Sequence, residues 1–176
     1  MSQFQQLVVS NGREIALGVG DHAFMQGDHD SNVYFVKSGL LKAYYIRADG
    51  KEHIKSFLAE GSIIGSMVAL VDGDPCTFSL VASEPTLVIA LPYEVLANAA
   101  QTDISLANAL VGFLSVYGKR KEQREYQLLS LSAEDRYELM MRDMPEIAGR
   151  ISQADLAAYI GITPQALSRI KRRLSR

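Results

Sequence analysis

One short stretch near the carboxyl end, "TPQALSRIKRRLSR", holds Gln165, Ser168, Arg169, Lys171, Arg172, Arg173 and Arg176 and no acid. On a helix face, a glutamine amide can bond the N6/N7 edge of adenine and an arginine fork the O6/N7 edge of guanine. Each such pair discriminates by about 1–3 kcal/mol. Hydroxyls and lysines suit phosphate oxygens instead, which fix register and make binding salt-sensitive without reading sequence. On this chemistry Gln165 and Arg169 are the candidate base readers. Thr163, Ser168, Lys171, Arg172 and Arg173 are the candidate phosphate contacts, and double-stranded DNA is the partner that fits. A solvated helix face is the competing reading of a basic run taken alone.

The elements that must position these groups are legible around them. Ser152 reads as an N-cap for "QADLAAYI", which Gly161 ends, and Thr163 caps a second helix whose first position is Pro164. Leu156, Ile160, Ile162, Leu167 and Ile170 supply apolar contacts between the two helices. Ala157 is small where they come closest, and Gly161 suits the positive φ of a tight turn. This register is the helix-turn-helix pattern.

Total charge hides the placement of that basic end. Residues 1–100 carry a net charge of −5 and residues 101–176 a net +3, within a total of −2. Attraction to a polyanion follows local rather than total charge. With 176 residues, 48% of them hydrophobic, the chain can build a core without staples. The one cysteine, Cys76, excludes an intramolecular disulfide, a four-cysteine zinc site and a cysteine-ligated cluster within one chain. No leader-like start and no long uncharged apolar run occurs, so the expectation is a cytoplasmic, bacterial protein with no membrane partner.

Between Val33 and Pro92 the pattern is β. Two apolar strands flank Ser38-Gly39, and Asp49-Gly50 is a hairpin dipeptide. "AEGSIIGSMVAL" and "TFSLVASEPTLVIALP" read as further strands. The expected class is α+β, with an antiparallel, jelly-roll-like β-roll at the amino-terminal side. A short helix follows Pro92, then a long one over 103–129. Its stripe Leu106, Leu110, Phe113 and Tyr117 is expected to form the dimer helix. The opposite stripe, Ala107, Val111, Leu114 and Gly118, is apolar too, so one face leans on the roll and the other on a second copy. Beyond Gly118 the helix reads as exposed. Ser132 reads as the N-cap of a further helix. The expected organisation is a roll over 1–100, a dimerisation helix over 101–130 and a helix-turn-helix unit over 131–176.

With these parts in this order, "FMQGD", "NVYFVKSGLLKAYYIRADGKE", "SIIGSMVALVDGDP" and above all "LAAYIGITPQALSRIKRRL", the chain resembles the Crp/Fnr superfamily of transcription regulators. The resemblance implies a cyclic-nucleotide-binding-like roll, a homodimer, palindromic DNA sites, RNA polymerase as a further partner and a small-molecule effector of unknown identity. Its pocket would be lined by Ile63, Gly65, Ser66, Met67, Val68, Cys76, Thr77 and Ser79. In cyclic-AMP-binding members a Glu follows the glycine that matches Gly65, and an Arg-Ser or Arg-Thr pair comes later. Here those places hold Ser66 and Cys76-Thr77, so a cyclic phosphate would enter without its compensating arginine. No cofactor and no cyclic nucleotide is therefore expected. The family's two-stranded wing has no counterpart after Ile170, so the fold is expected to lack a full wing.

Other chemistry is thin. His22, His29 and His53 lack converging metal-ligand spacing, so no metal is expected. Cys76 reads as a small residue, because an acidic neighbour such as Asp74 disfavours a thiolate. No P-loop, catalytic triad or paired-carboxylate motif occurs, and an enzyme is not expected. The alternative function is a small-molecule-binding roll whose basic tail contacts a protein partner.

Overall fold

The computed structural model describes residues 3–174, so Arg176 of the basic stretch lies outside the described residues. Helix α1 (Gln3–Asn11) precedes strands β1 (Arg13–Leu17), β2 (His22–Phe24), β3 (Asn32–Ser38), β4 (Leu41–Ile46), β5 (Glu52–Leu58) and β6 (Ile63–Ile64). A short helix, α2 (Met67–Asp72), separates these from β7 (Ser79–Ala82) and β8 (Thr86–Pro92). The rest is helical: α3 (Tyr93–Thr102), α4 (Ile104–Ser130), α5 (Ala133–Asp143), α6 (Pro145–Arg150), α7 (Gln153–Ile160) and α8 (Pro164–Leu174).

The strands make two four-stranded sheets, ordered β1-β8-β3-β6 and β2-β7-β4-β5, with antiparallel pairing. The expected α+β roll is thus the observed one. β3 and β4 go to different sheets, so Ser38-Gly39 is a crossing between sheets rather than a hairpin. Gly39 has φ +94°, and a Cβ there would lie 2.5 Å from Thr86 Oγ1. Only glycine fits that corner.

Continuous apolar runs in β3 and β8 follow from burial on both faces. Tyr34, Val36, Val88 and Ala90 point between the sheets, where they meet Phe24, Leu41, Phe78 and Leu80. Val33, Phe35, Ile89 and Leu91 point outward, onto α1, α3 and α4. The outer face of the other sheet presents Leu40, Ile54 and Phe57, and the carboxyl-terminal helices cover it.

The packing bears on three expectations. "SMVAL" was expected to extend a strand, but the chain leaves the sheet after Gly65 and forms α2. A Cβ at Gly65 would sit 2.8 Å from Leu70 Cδ1, so close packing of that first turn takes the place of strand pairing. The stripe Leu106, Leu110, Phe113 and Tyr117, expected as the dimer helix, packs within its own chain. Leu106 is buried within the chain, Leu110 and Phe113 pack against the roll and α1 cluster, and Tyr117 lies against Lys55 of β5. The face left open is the opposite one, with Ile104 78%, Val111 61% and Val116 53% exposed. The second half of α4 is not wholly exposed either, because Arg124 turns inward, as described below. Helix α1 and strands β1 and β2 carry no expectation from sequence.

Candidate nucleic-acid interface

α7 starts where expected: the Ser152 side chain accepts from the Asp155 N–H. It stops at Gly161, φ +81°, where the Gly161 and Ile162 N–H groups donate back to Ala158 and Ala157. Thr163 Oγ1 accepts from the Ala166 N–H and so caps α8. Leu156, Ala157, Ile160 and Leu167 are buried together with Met140 and Ala148 in one small core. A Cβ in the left-handed region costs about 1–2 kcal/mol. Gly161→Ala is therefore expected to lower stability by about that amount, read as a lower denaturation midpoint with an unchanged slope.

With Leu167 and Ile170 turned inward, α8 presents Gln165, Ser168, Arg169, Lys171, Arg172 and Arg173 outward, all exposed. Arg169 Nε donates to the Gln165 carbonyl at 3.4 Å, which leaves the rest of its fork facing solvent along the same ridge. Lys171 Nζ donates to Gln153 Oε1 at 2.8 Å, and Arg173 pairs with Glu134 of α5. A phosphate would have to compete for those last two cations. Thr163 is exposed, but its hydroxyl is engaged as the cap.

Sequence reasoning missed the arginines that hold this unit in place. Arg136 Nε donates to the Ile160 carbonyl at 2.7 Å and its Nη1 to the Leu131 carbonyl at 2.5 Å. Arg124 donates to the Tyr159 carbonyl and lies 3.9 Å from the centre of the Tyr159 ring. The Tyr159 and Ile160 carbonyls end α7 and the Leu131 carbonyl follows the end of α4, places where no intrahelical donor remains. Both arginines read as ordinary surface charges in sequence, and no local spacing marks them otherwise.

The expected pocket residues are not gathered on one wall. Ile63 packs with Leu110 and Phe113 against the roll's outer face, whereas Cys76 is in the core between the sheets. Gly65 and Ser66 are buried and Ser66 Oγ has no hydrogen-bond partner among the described residues; Cys76 Sγ lies 3.9 Å from the Asp30 carbonyl. Ser79 Oγ accepts from the Gln26 N–H. Met67 is half-buried, and Val68 and Thr77 are exposed. The histidines are apart: His22 Nε2 contacts the Tyr44 hydroxyl, His29 Nδ1 the Gly73 carbonyl, and His53 is exposed on β5.

Between the roll and α4 sits an unexpected cation. Lys55 Nζ lies 4.4 Å from the centre of the Phe78 ring and 5.6 Å from that of Tyr117, and Lys121 approaches the same tyrosine. Burial first, and Lys121 second, push the Lys55 ammonium down to about 8. The folded chain thus binds this proton less readily than the unfolded chain. The cost is full below pH 8 and fades as pH rises from there toward the ordinary lysine value. Lys55→Met, which keeps the stem, is expected to stabilise by about 1–2 kcal/mol at neutral pH, raising Tm by several degrees. The gap between the two proteins should close between about pH 8 and 10.5 in thermal melts.

A β-roll, a long helix and a helix-turn-helix with its outer face open define the class of a DNA-binding regulator. A family model for the cyclic nucleotide-binding domain matches residues 14–103. The chain is 24% identical over 180 residues to the fumarate and nitrate reduction regulatory protein of Vibrio cholerae, covering 96% of this chain and 71% of that one. It is 26% identical over 164 residues to the anaerobic regulatory protein of Pasteurella multocida, covering 87% of this chain and 59% of that one. FixK2 from Bradyrhizobium japonicum superposes with a TM-score of 0.81 at 22% identity, over 93% of this chain and 84% of its own. The chain belongs to the cyclic nucleotide-binding domain family, in the Crp/Fnr superfamily of regulators. Its relatives are transcription regulators, not enzymes. Among the described residues no helix is long and apolar enough to cross a membrane.

Proposed function

We propose that this chain is a homodimeric, sequence-specific DNA-binding transcription regulator that places α8 in the major groove. The observation that carries the reading is the exposed polar and basic ridge of α8, on a helix whose reverse side is locked into the core by Leu167 and Ile170. Gln165 and Arg169 read base edges; Ser168, Lys171, Arg172 and Arg173 grip phosphates, with Thr163 holding the helix start between them. A second copy covers the open face of α4. Ile104, Val111 and Gly118 recur there at heptad spacing, and a Cβ at Gly112 or Gly118 would meet nothing within 4 Å, which leaves room for close helix approach.

The roll does not take cyclic AMP in this reading. A buried thiol at Cys76 stands where the superfamily's arginine would compensate a cyclic phosphate, and a buried hydroxyl at Ser66 where its glutamate would be, so neither charge is supplied. A different small effector, and RNA polymerase as partner, remain part of the proposal by analogy with the superfamily.

The test is a selection from random duplex DNA with purified protein, run without nucleotide and with cyclic AMP. The expected result is a two-fold symmetric site without nucleotide, its half-sites about 34 Å apart. Enrichment only with cyclic AMP overturns the nucleotide independence. No enrichment in either condition overturns the DNA reading in favour of a basic tail that meets a protein.

A further inference from the structure

The helix-turn-helix unit does not hang free from α4 but is docked on the roll of its own chain. Phe57 of β5 and Tyr159 of α7 meet with ring centroids 5.6 Å apart, beside Leu40, Ile54, Ile147, Ile151 and Ala158. Polar contacts flank this patch. Arg150, the last residue of α6, reaches two carboxylates of the roll: Glu60 at 3.0 Å from Nη1 and 2.9 Å from Nη2, and Glu84 at 2.6 Å from Nη2 and 3.3 Å from Nε. Glu60 is itself tied to the sheet crossing, since it accepts the Gly39 N–H at 2.8 Å. On the other side Lys42 of β4 lies 3.3 Å from Asp155, the acid of the first turn of α7, and 3.1 Å from Glu52.

Half-exposed ion pairs of this kind add little to stability, about 0–1 kcal/mol each. A guanidinium forked across two carboxylates nevertheless fixes direction, which a small apolar patch does not. Direction matters here because two recognition helices on one duplex must keep a set separation and tilt. The covalent connection between α4 and the reading unit is only the short stretch at Leu131-Ser132.

We propose that Arg150, bridging Glu60 and Glu84 with Lys42–Asp155 as a second point, is a positioning residue that sets the orientation of α8 relative to α4 and thereby to the second recognition helix of the dimer. Arg150 touches no base and no phosphate in this role. Its loss leaves the affinity of one α8 for one half-site intact. What falls is the advantage of binding two half-sites at once, because that advantage depends on the effective concentration of the second reader at its site. The inference rests on the dimeric DNA-binding reading above, and one arm of its test uses no DNA.

In that arm, nitroxide labels at Ala48→Cys in the β4–β5 turn and Glu138→Cys on α5 report the roll-to-reader distance by pulsed electron spin resonance. The buried Cys76 stays unlabelled, and labelled chains are diluted into unlabelled ones. One narrow distance is expected for the parent, and a broad distribution for Arg150→Ala and for Glu60→Gln with Glu84→Gln, which leaves the reading unit untouched should the first variant fold poorly. Arg150→Lys, which keeps the charge and loses the fork, should also broaden. In the DNA arm, the selected two-half-site duplex should bind Arg150→Ala about 10-fold or more weakly, while the same duplex with one half-site scrambled binds within about twofold of the parent. An unchanged narrow distance in the variants overturns the latch whether or not the protein binds DNA. Broadened distances with equal losses on both duplexes overturn its role in spacing the readers.

Discussion

Val111→Asp is expected to turn the proposed dimer into monomers, seen as a halved mass by light scattering, with the chain still folded by circular dichroism. Val111 is 61% exposed on the open face of α4, so an aspartate there meets water in the monomer and costs little. In a paired helix seam the same carboxylate would face its own symmetry mate without a cation, an uncompensated desolvated charge. Affinity for a two-half-site duplex should then fall by about 10²–10⁴-fold, the avidity of the second reader, while half-site affinity stays close to that of the parent. Leu110→Asp should behave differently. Leu110 packs within the chain, so that variant should lose stability rather than only its partner. If Val111→Asp remained dimeric, the open stripe would not be the seam.

Arg169→Ala carries the other large effect. Loss of a bidentate base contact should weaken the selected site by about 1–3 kcal/mol, some 5- to 150-fold, and relax the preference at a single base position. Arg172→Ala should differ in kind, weakening all duplexes alike and lowering the slope of log K against log salt by about 1. Binding titrations at three salt concentrations on matched and mismatched duplexes separate the two. Equal salt slopes for both variants, or equal losses on matched and mismatched sites, would remove Arg169 from the base-reading role.

The parts of this molecule that were readable in sequence are those whose reasons are local. Ser152 and Thr163 cap their helices through their own side chains, Gly161 turns through its own φ, and Leu156 with Ile160 in α7 and Leu167 with Ile170 in α8 stand at helical spacing. The roll was readable for the same reason, because short apolar runs and turn dipeptides mark strands wherever they end up. Which sheet each strand joins was not, since β3 and β4 part at Gly39 in a corner packed against Thr86 and Pro85, far away in the sequence. Which stripe of α4 leans on the roll was not readable because both are apolar, and only packing shows that Phe113 rather than Val111 faces it. Lys42, Arg124, Arg136 and Arg150 were invisible as anchors. Their partners lie up to 113 positions away, and a lysine or arginine looks the same in a sequence whether it holds water or a carboxylate.

Those distant contacts also bear on how the molecule comes apart. The carboxyl-terminal core around Met140 and Leu156 is small, and a unit of that size alone would sit near the margin of stability. Its hold on Phe57 and Leu40 of the roll, and on Arg124 of α4, makes its melting inseparable from exposure of the roll's outer sheet. Heat or denaturant should therefore find one cooperative transition in place of two, and amide exchange in α8 should be slowed to rates set by the roll rather than by the short helices around it.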